Sequence, residues 1–257
     1  MWHPCRLTDK DEILAFLEQD RLYAAYAIGD LEAGLFELSD WAGAVRNGRL
    51  ETLALLYRGL DPPVLFLMGE PDGLPAILRL ALRPRRVYLT CLQEHWPTLR
   101  AFYRTDPPQV MWRMALRPAD FRPVSHPDVV PLGPIAVPQL EQLYALGGAD
   151  AFSPTQVATG VFYGVRLHGR LVSAAGTHLV SPTYRVAAVG NVFTAPEYRG
   201  RGYATAATSA VVAELLKRGI RDVVLNVARD NAPAIHIYQR LGFRKHCLFL
   251  EGLAVRR

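Results

Sequence analysis

Residues 189–216 read VGNVFTAPEYRGRGYATAATSAVVAELL, and the fold turns on how they are read. A strand ends at Thr194, a turn containing Pro196 follows, and Arg199-Gly200-Arg201-Gly202-Tyr203-Ala204 opens a long Ala-rich helix. Small residues at 200, 202 and 204 let a ligand come close to the backbone. The first-turn amides of a helix are donors without an intrahelical partner, and they carry the positive end of its dipole. A loop of this composition ahead of such a helix is a cradle for a diphosphate, with Arg199 and Arg201 adding charge. An ordinary Gly-rich cap would share the glycines, but not the strand, the spacing and the helix together.

Outward from this segment, the second half reads as a strand at 129–132, helices at 137–146 and 154–159, and strands at 161–167, 171–179 and 186–194. The helix 203–218 is closed by Gly219, a strand at 222–227 follows, the helix 232–241 is closed by Gly242, and a strand at 245–254 comes last. His168-Gly169-Arg170 reads as a hairpin turn. Prolines crowd 117–134, which excludes regular interior structure and marks a linker. Ahead of it lie helices at 9–18, with Thr8 as N-cap, and at 22–31. Strands at 52–57 and 64–68, a helix at 74–82, a strand at 86–91, a helix at 93–103 and a strand at 109–116 complete the first half. The two halves share nearly the same succession. This points to a duplicated architecture with domains 1–120 and 121–257.

Half of the 257 residues are apolar and 21% are charged, which excludes wholesale disorder. No apolar stretch reaches the roughly 18–20 residues of a membrane span, and MWHPCRLTDKDEIL does not read as a signal peptide. Cys5, Cys91 and Cys247 are odd in number and far apart, which argues against a disulfide framework or a cysteine metal site and for a reducing cytoplasm. The net charge of +5 is unevenly held. Residues 1–120 carry 14 basic and 16 acidic side chains, and residues 121–257 carry 15 and 8. The positive excess therefore lies with the proposed diphosphate cradle. No helix-turn-helix, zinc or aromatic–basic pattern supports nucleic acid as the partner.

The cradle segment resembles the acyl-CoA-binding motif of the GNAT superfamily of N-acetyltransferases, Arg/Gln-x-x-Gly-x-Gly/Ala, met by Arg199, Gly202 and Ala204. A second signature, Asn-x-x-Ala-x-x-x-Tyr-x-x-x-Gly-Phe, is met by Asn231, Ala234, Tyr238, Gly242 and Phe243. The resemblance implies an α+β fold: a C-terminal GNAT-fold mixed sheet flanked by helices, plus a divergent N-terminal GNAT-like α/β domain, as in glycine N-acyltransferase-like members. It implies acetyl-CoA as cosubstrate, laid between two splayed strands. Val192, Phe193 and Thr194 would run along the pantetheine, and Gly200, Arg201, Gly202, Tyr203, Ala204 and Thr205, with Arg199, would hold the diphosphate. Asn231 would touch the cofactor while capping its helix, and Tyr238 would lie beside the thioester sulfur as the catalytic acid. A small-molecule or peptide amine is the implied acceptor.

The departure from relatives is the base. Where some members carry glutamate, this chain has Ala188 and Asn226, neither of which takes a proton. His178, Glu251, Glu197 and water are the remaining candidates. An alkyl amine of pKa near 10.4 costs roughly 4.6 kcal/mol to neutralise at pH 7, and an α-amine near 7.8 about 1 kcal/mol, so a weak base favours an amine of low pKa. In the first half, the equivalent loop Gly69-Glu70-Pro71-Asp72-Gly73 lacks the motif, and its acids would repel phosphate. One cofactor site per chain is expected. A CoA-binding regulatory module without catalysis is the competing class.

Overall fold

The computed structural model describes residues 1–148 and 152–257, which divide into two compact units, Met1–Trp112 with Cys247–Arg257, and Arg113–His246. The first contains β1 (His3–Arg6), α1 (Lys10–Leu17), α2 (Ala25–Gly29), β2 (Ser39–Arg46), β3 (Arg49–Tyr57), β4 (Val64–Gly69), α3 (Leu74–Ala76), β5 (Arg86–Cys91), α4 (Trp96–Phe102) and β6 (Tyr103–Thr105). The chain passes into the second unit within β7 (Gln109–Leu116) and continues through β8 (Val129–Pro131), α5 (Val137–Tyr144), α6 (Pro154–Thr159), β9 (Tyr163–Leu167) and β10 (Arg170–Ser181). Then come β11 (Val186–Thr194), α7 (Tyr203–Lys217), β12 (Asp222–Ala228), α8 (Ala232–Arg240) and β13 (Arg244–Arg256). No helix of the described residues is long and apolar enough to cross a membrane.

Strand order is β1-β2-β3-β4-β5-β13 in the first unit and β12-β11-β10-β9-β8 in the second. Most neighbours run antiparallel; β4 with β5 and β11 with β12 are parallel. The two units therefore repeat one plan, a β-α-α-β-β-β-α-β-α core with its single parallel pair at the same place. Even the hairpins agree. Asn47-Gly48 has φ of 53° and 75°, His168-Gly169 has 49° and 78°, and such left-handed pairs match the twist of the strands they join.

The sequence reading omits three strands, the shortest being β6, which directly follows α4. β2 is rich in Ala and Gly and carries little β-propensity, although the Asn47-Gly48 turn that follows it is a strong hairpin signal. β1 contains Pro4, which an edge strand tolerates. The α1 cap is Asp9, whose carboxylate accepts from the Asp11 and Glu12 amides, and not Thr8. The expected helix 22–31 is reduced to α2, and that at 74–82 turns into a π-helix over Ile77–Ala81. The largest correction concerns the C-terminus. Cys247–Arg257 belong with the first unit, where residues 250–255 of β13 pair antiparallel with β5. Leu250 and Ala254 enter the core formed by β2–β5, α3 and α4.

In each unit the parallel pair stops early. β4 meets β5 only from Val64–Tyr88 to Phe66–Thr90, after which β4 runs on to Gly69. Here the first unit fills the place with its own side chains. The Tyr23 hydroxyl donates to the Leu67 carbonyl at 2.8 Å, and His95 Nε2 bonds the Gly69 carbonyl at 2.8 Å. A carbonyl only accepts, so Nε2 carries the proton. Nδ1 is buried without a partner, and burial holds the imidazole below its ordinary pKa.

A second proton on His95 would have no acceptor. Below about pH 6.5 the unfolded chain takes up a proton that the folded chain resists, so stability is lost as pH falls through that value and is flat above it. Urea unfolding between pH 7.5 and 5.5 is expected to show a shallower acid loss in His95→Asn than in the unchanged protein. Equal slopes would remove His95 as a source of that loss.

Candidate functional site

The second unit opens at β11 and β12. Their parallel ladder covers four residue pairs, Val186–Asp222 to Val189–Leu225, and both strands continue beyond it. On its other edge β11 is bulged: Gly190 opposes Gly176, but Phe193 opposes Ala174, so one extra residue is inserted between them. Asn191 stands in the bulge with φ 52°, a left-handed conformation that Asn tolerates better than most residues. Two groups hold it, and the second is itself held by a further bond. The Tyr144 hydroxyl donates to the Asn191 carbonyl at 2.7 Å, Asn191 Nδ2 donates to Gln156 Oε1 at 2.9 Å, and Gln156 Oε1 also takes the Ser153 amide in the capping box of α6.

Beyond the bulge, the strand leads to the proposed cradle. Gly200 and Gly202 have φ of 76° and 82°, and a Cβ at either would meet nothing, so backbone conformation requires glycine there. Gly202 is the N-cap of α7 without a side-chain cap, and the helix ladder begins with the Ala206 amide on the Gly202 carbonyl. The first-turn amides thus face outward, as an anion site requires. Residues 199–202 are exposed, Tyr203 and Ala204 half-buried, and Thr205 buried. The Tyr203 ring stands edge-on to His126.

Arg199 lies over the Phe193 ring and donates through Nε to the Thr194 carbonyl at 3.2 Å. Arg201 lies over Tyr198. Phe193 is buried in the apolar cluster of α5, α6, β10 and β11, so only its backbone faces the opening. Ser173 Oγ donates to the Phe193 carbonyl and meets Thr194 Oγ1 at 2.8 Å. The Thr194 carbonyl is thus taken by Arg199.

On α8, Asn231 caps the helix by accepting the Ala234 amide at 3.2 Å. The other end explains the rest of the second motif. The Phe243 amide bonds the Tyr238 carbonyl, and the Gly242 amide bonds that of Gln239. These are the two bonds of a Schellman cap, with Gly242 at φ 104° as its left-handed residue. The accompanying apolar contact is Phe243 against Tyr238, ring centroids 6.0 Å apart. The cap therefore fixes the tyrosine by backbone and by ring. Tyr238 is 7% exposed, and burial pushes its phenol up to about 12, the reverse of a lowered acid.

The three side chains read as possible bases separate. Glu197 pairs with Arg170 at 3.2 Å. Glu251 lies in the first unit, where it accepts from the Tyr88 hydroxyl. Ala188 is buried and apolar, and Asn226 is an amide. His178 is half-buried on β10, its ring packed on Gly190. Phe152 and Phe162 pack into the apolar cluster with Tyr144. Gln156 and Asn191 escaped the sequence reading; Asn in a strand of small residues was the available sign of a bulge.

Residues 136–243 match the sequence profile described as "Acetyltransferase (GNAT) family", and this part of the chain is a GNAT-family acetyltransferase domain. A mycothiol acetyltransferase of Tsukamurella paurometabola is 34% identical over 124 residues, 47% of this chain and 40% of that protein, so the match spans less than half of the relative's length. A solved structure assigned to the GNAT acetyltransferases, from Novosphingobium aromaticivorans, is 28% identical with a TM-score of 0.58, covering 75% of this chain and 84% of its own. A tandem GNAT protein from the clavulanic acid biosynthesis pathway covers 100% of this chain and 98% of its own at a TM-score of 0.58. At 15% identity that likeness is one of fold.

The Asn231 cap can be measured apart from any ligand. Asn231→Ala is expected to cost about 1 kcal/mol of stability in urea unfolding, and Asn231→Asp to restore it. An unchanged midpoint in the alanine variant would show that the cap contributes nothing.

Proposed function

We propose that the second unit is an N-acetyltransferase that moves an acetyl group from acetyl-CoA to a primary amine by direct attack, the amine belonging to a small molecule, an amino acid or a protein N-terminus. The carrying observation is a parallel pair that opens after four residue pairs beside a glycine-led, uncapped helix N-terminus. The relatives named mycothiol acetyltransferases support acetyl transfer to a small molecule. Three free cysteines fit a reducing cytoplasm.

In this reading the amides of 200–205, with Arg199 and Arg201, hold the diphosphate. The backbone of Val192, Phe193 and Thr194 lies along the pantetheine, and an amide of that segment donates to the thioester oxygen. Asn231 meets the cosubstrate beside its cap. CoA, when bound, supplies an activated acyl carbon and a thiol leaving group. With its phenol near 12, Tyr238 passing a proton outright to a thiol of pKa about 8.5 is uphill by about 5 kcal/mol. Tyr238 therefore stays protonated and donates a hydrogen bond to sulfur as the C–S bond breaks.

The first unit holds no cofactor in this reading. Tyr23 and His95 occupy its opening, Glu70 and Asp72 flank the equivalent loop, and Phe102 stands at the distance from the α4 cap that Tyr238 has from Asn231. The absence of a carboxylate at 188 and 226 favours a second reading, a CoA-binding regulatory module.

Release of free thiol from acetyl-CoA in the presence of a panel of primary amines separates the two, since a regulatory module would bind CoA and release none. Calorimetric titration is expected to give one CoA per chain, and two would overturn the role given to the first unit. Tyr238→Phe is expected to lower kcat about 100-fold while CoA affinity changes less than twofold. An unchanged kcat would remove Tyr238 from the chemistry.

A further inference from the structure

His178 sits at an irregularity of its own. β10 pairs Thr177 with Val189 and Leu179 with Ala188, so His178 is an extra residue, and such a bulge re-aims the side chain it carries. The ring then lies on Gly190, the first residue of β11 beyond the end of its ladder with β12. Gly190 faces Gly176 across the strands, and the Phe162 ring covers that second glycine. A Cβ on Gly190 would occupy the place of the imidazole. Two glycines thus form a floor that carries one apolar ring and one titratable ring at the lip of the opening.

The amide of Asn191 is turned toward this ring. Because Nδ2 is committed to Gln156 Oε1, the orientation of the amide is set, and Oδ1 is buried without a donor at bonding geometry. An orphaned acceptor of this kind is costly, and a neighbouring imidazole that gains an N–H can relieve it. Burial lowers the proton affinity of His178, and Asn191 opposes that effect. The titratable side chain packed at the same bulge is Tyr144 of α5, which burial keeps protonated.

We propose that His178 is the base that takes the proton from the acceptor ammonium, and that Asn191, oriented by Gln156 of α6, is the positioning residue that supports the resulting imidazolium. The inference rests on the acetyl-transfer reading. A proton passes from the ammonium to the imidazole, the freed amine pair forms the N–C bond, and the C–S bond breaks. The proton left on nitrogen goes to the thiolate, which the Tyr238 hydroxyl steadies with a hydrogen bond, and His178 returns its own to water. Proton for proton, an ammonium and a thioester become an amide, a thiol and one released proton.

The test uses the full chain, with the His178 ring signal identified by its loss in His178→Gln and followed by NMR from pH 4.5 to 8.5. Asn191→Asp and Asn191→Gly both tolerate the left-handed backbone. The aspartate is expected to raise the His178 titration by one pH unit or more, and the glycine to lower it. The acid limb of kcat/KM for acetyl transfer to a glycine amide acceptor should move with the ring in both variants. In His178→Gln that limb should vanish, with kcat/KM at pH 7 down about 100-fold and CoA affinity within twofold. A His178 titration indifferent to both Asn191 variants overturns the role of Asn191, whether or not turnover is seen. A limb that persists in His178→Gln overturns the base. Loss of all thiol release in the unchanged protein, with CoA still bound, instead overturns the acetyl-transfer reading on which the base depends.

Discussion

The parallel ladder between β11 and β12 ends at Val189–Leu225, and most of what the second unit offers follows from that ending. Two strands that continue side by side would satisfy one another's amides and leave no backbone for a ligand. Here β11 departs with an inserted residue in left-handed conformation, and the departure is held from outside the sheet, by a hydroxyl from α5 and an amide from α6. Helices that otherwise only cover an apolar face thereby dictate where a strand bends. The glycine-led start of α7 then lies one short turn farther along the same strand, so the bend and the proposed anion cradle are set by one stretch of chain.

The α8 motif is structural in itself, and in the proposed function it is chemical as well. Gly242 is needed for a positive φ, and a Cβ there would also run into the Asp120 carbonyl. Phe243 supplies the apolar contact that Schellman caps use, and the residue it contacts is Tyr238. The tyrosine is thus held by the device that stops its helix. At the other end Asn231 caps the helix and, in the proposed function, also meets the cosubstrate.

Much of the second unit was legible because its signals are local. Glycines at helix ends, a turn between strands and an N-cap mark α7, β12 and α8, and the strand Val186–Thr194 and helix Pro154–Thr159 are bounded as the pattern reads them. The first unit was less legible where propensity is weak, as in Ser39–Arg46, or where proline stands in an edge strand. At the candidate site, the glycine-led start of α7 could be read from the spacing of its residues. The Gln156–Asn191 bond joins residues 35 apart, and the packing of His178 on Gly190 depends on two offsets in strand register. No periodicity encodes either. The raised phenol of Tyr238 is likewise a product of burial that only the packed structure reveals.

The way β13 closes the first unit has a consequence for synthesis. Its residues 250–255 pair with 86–91, so the first unit cannot complete its sheet until those late residues have left the ribosome. The second unit, Arg113–His246, is continuous in sequence and carries no such debt. The part translated later is thus free to condense first. The part translated earlier must wait with the β5 edge unpaired, and an unpaired edge is a template for wrong partners. Order of emergence and order of completion run in opposite directions along this chain.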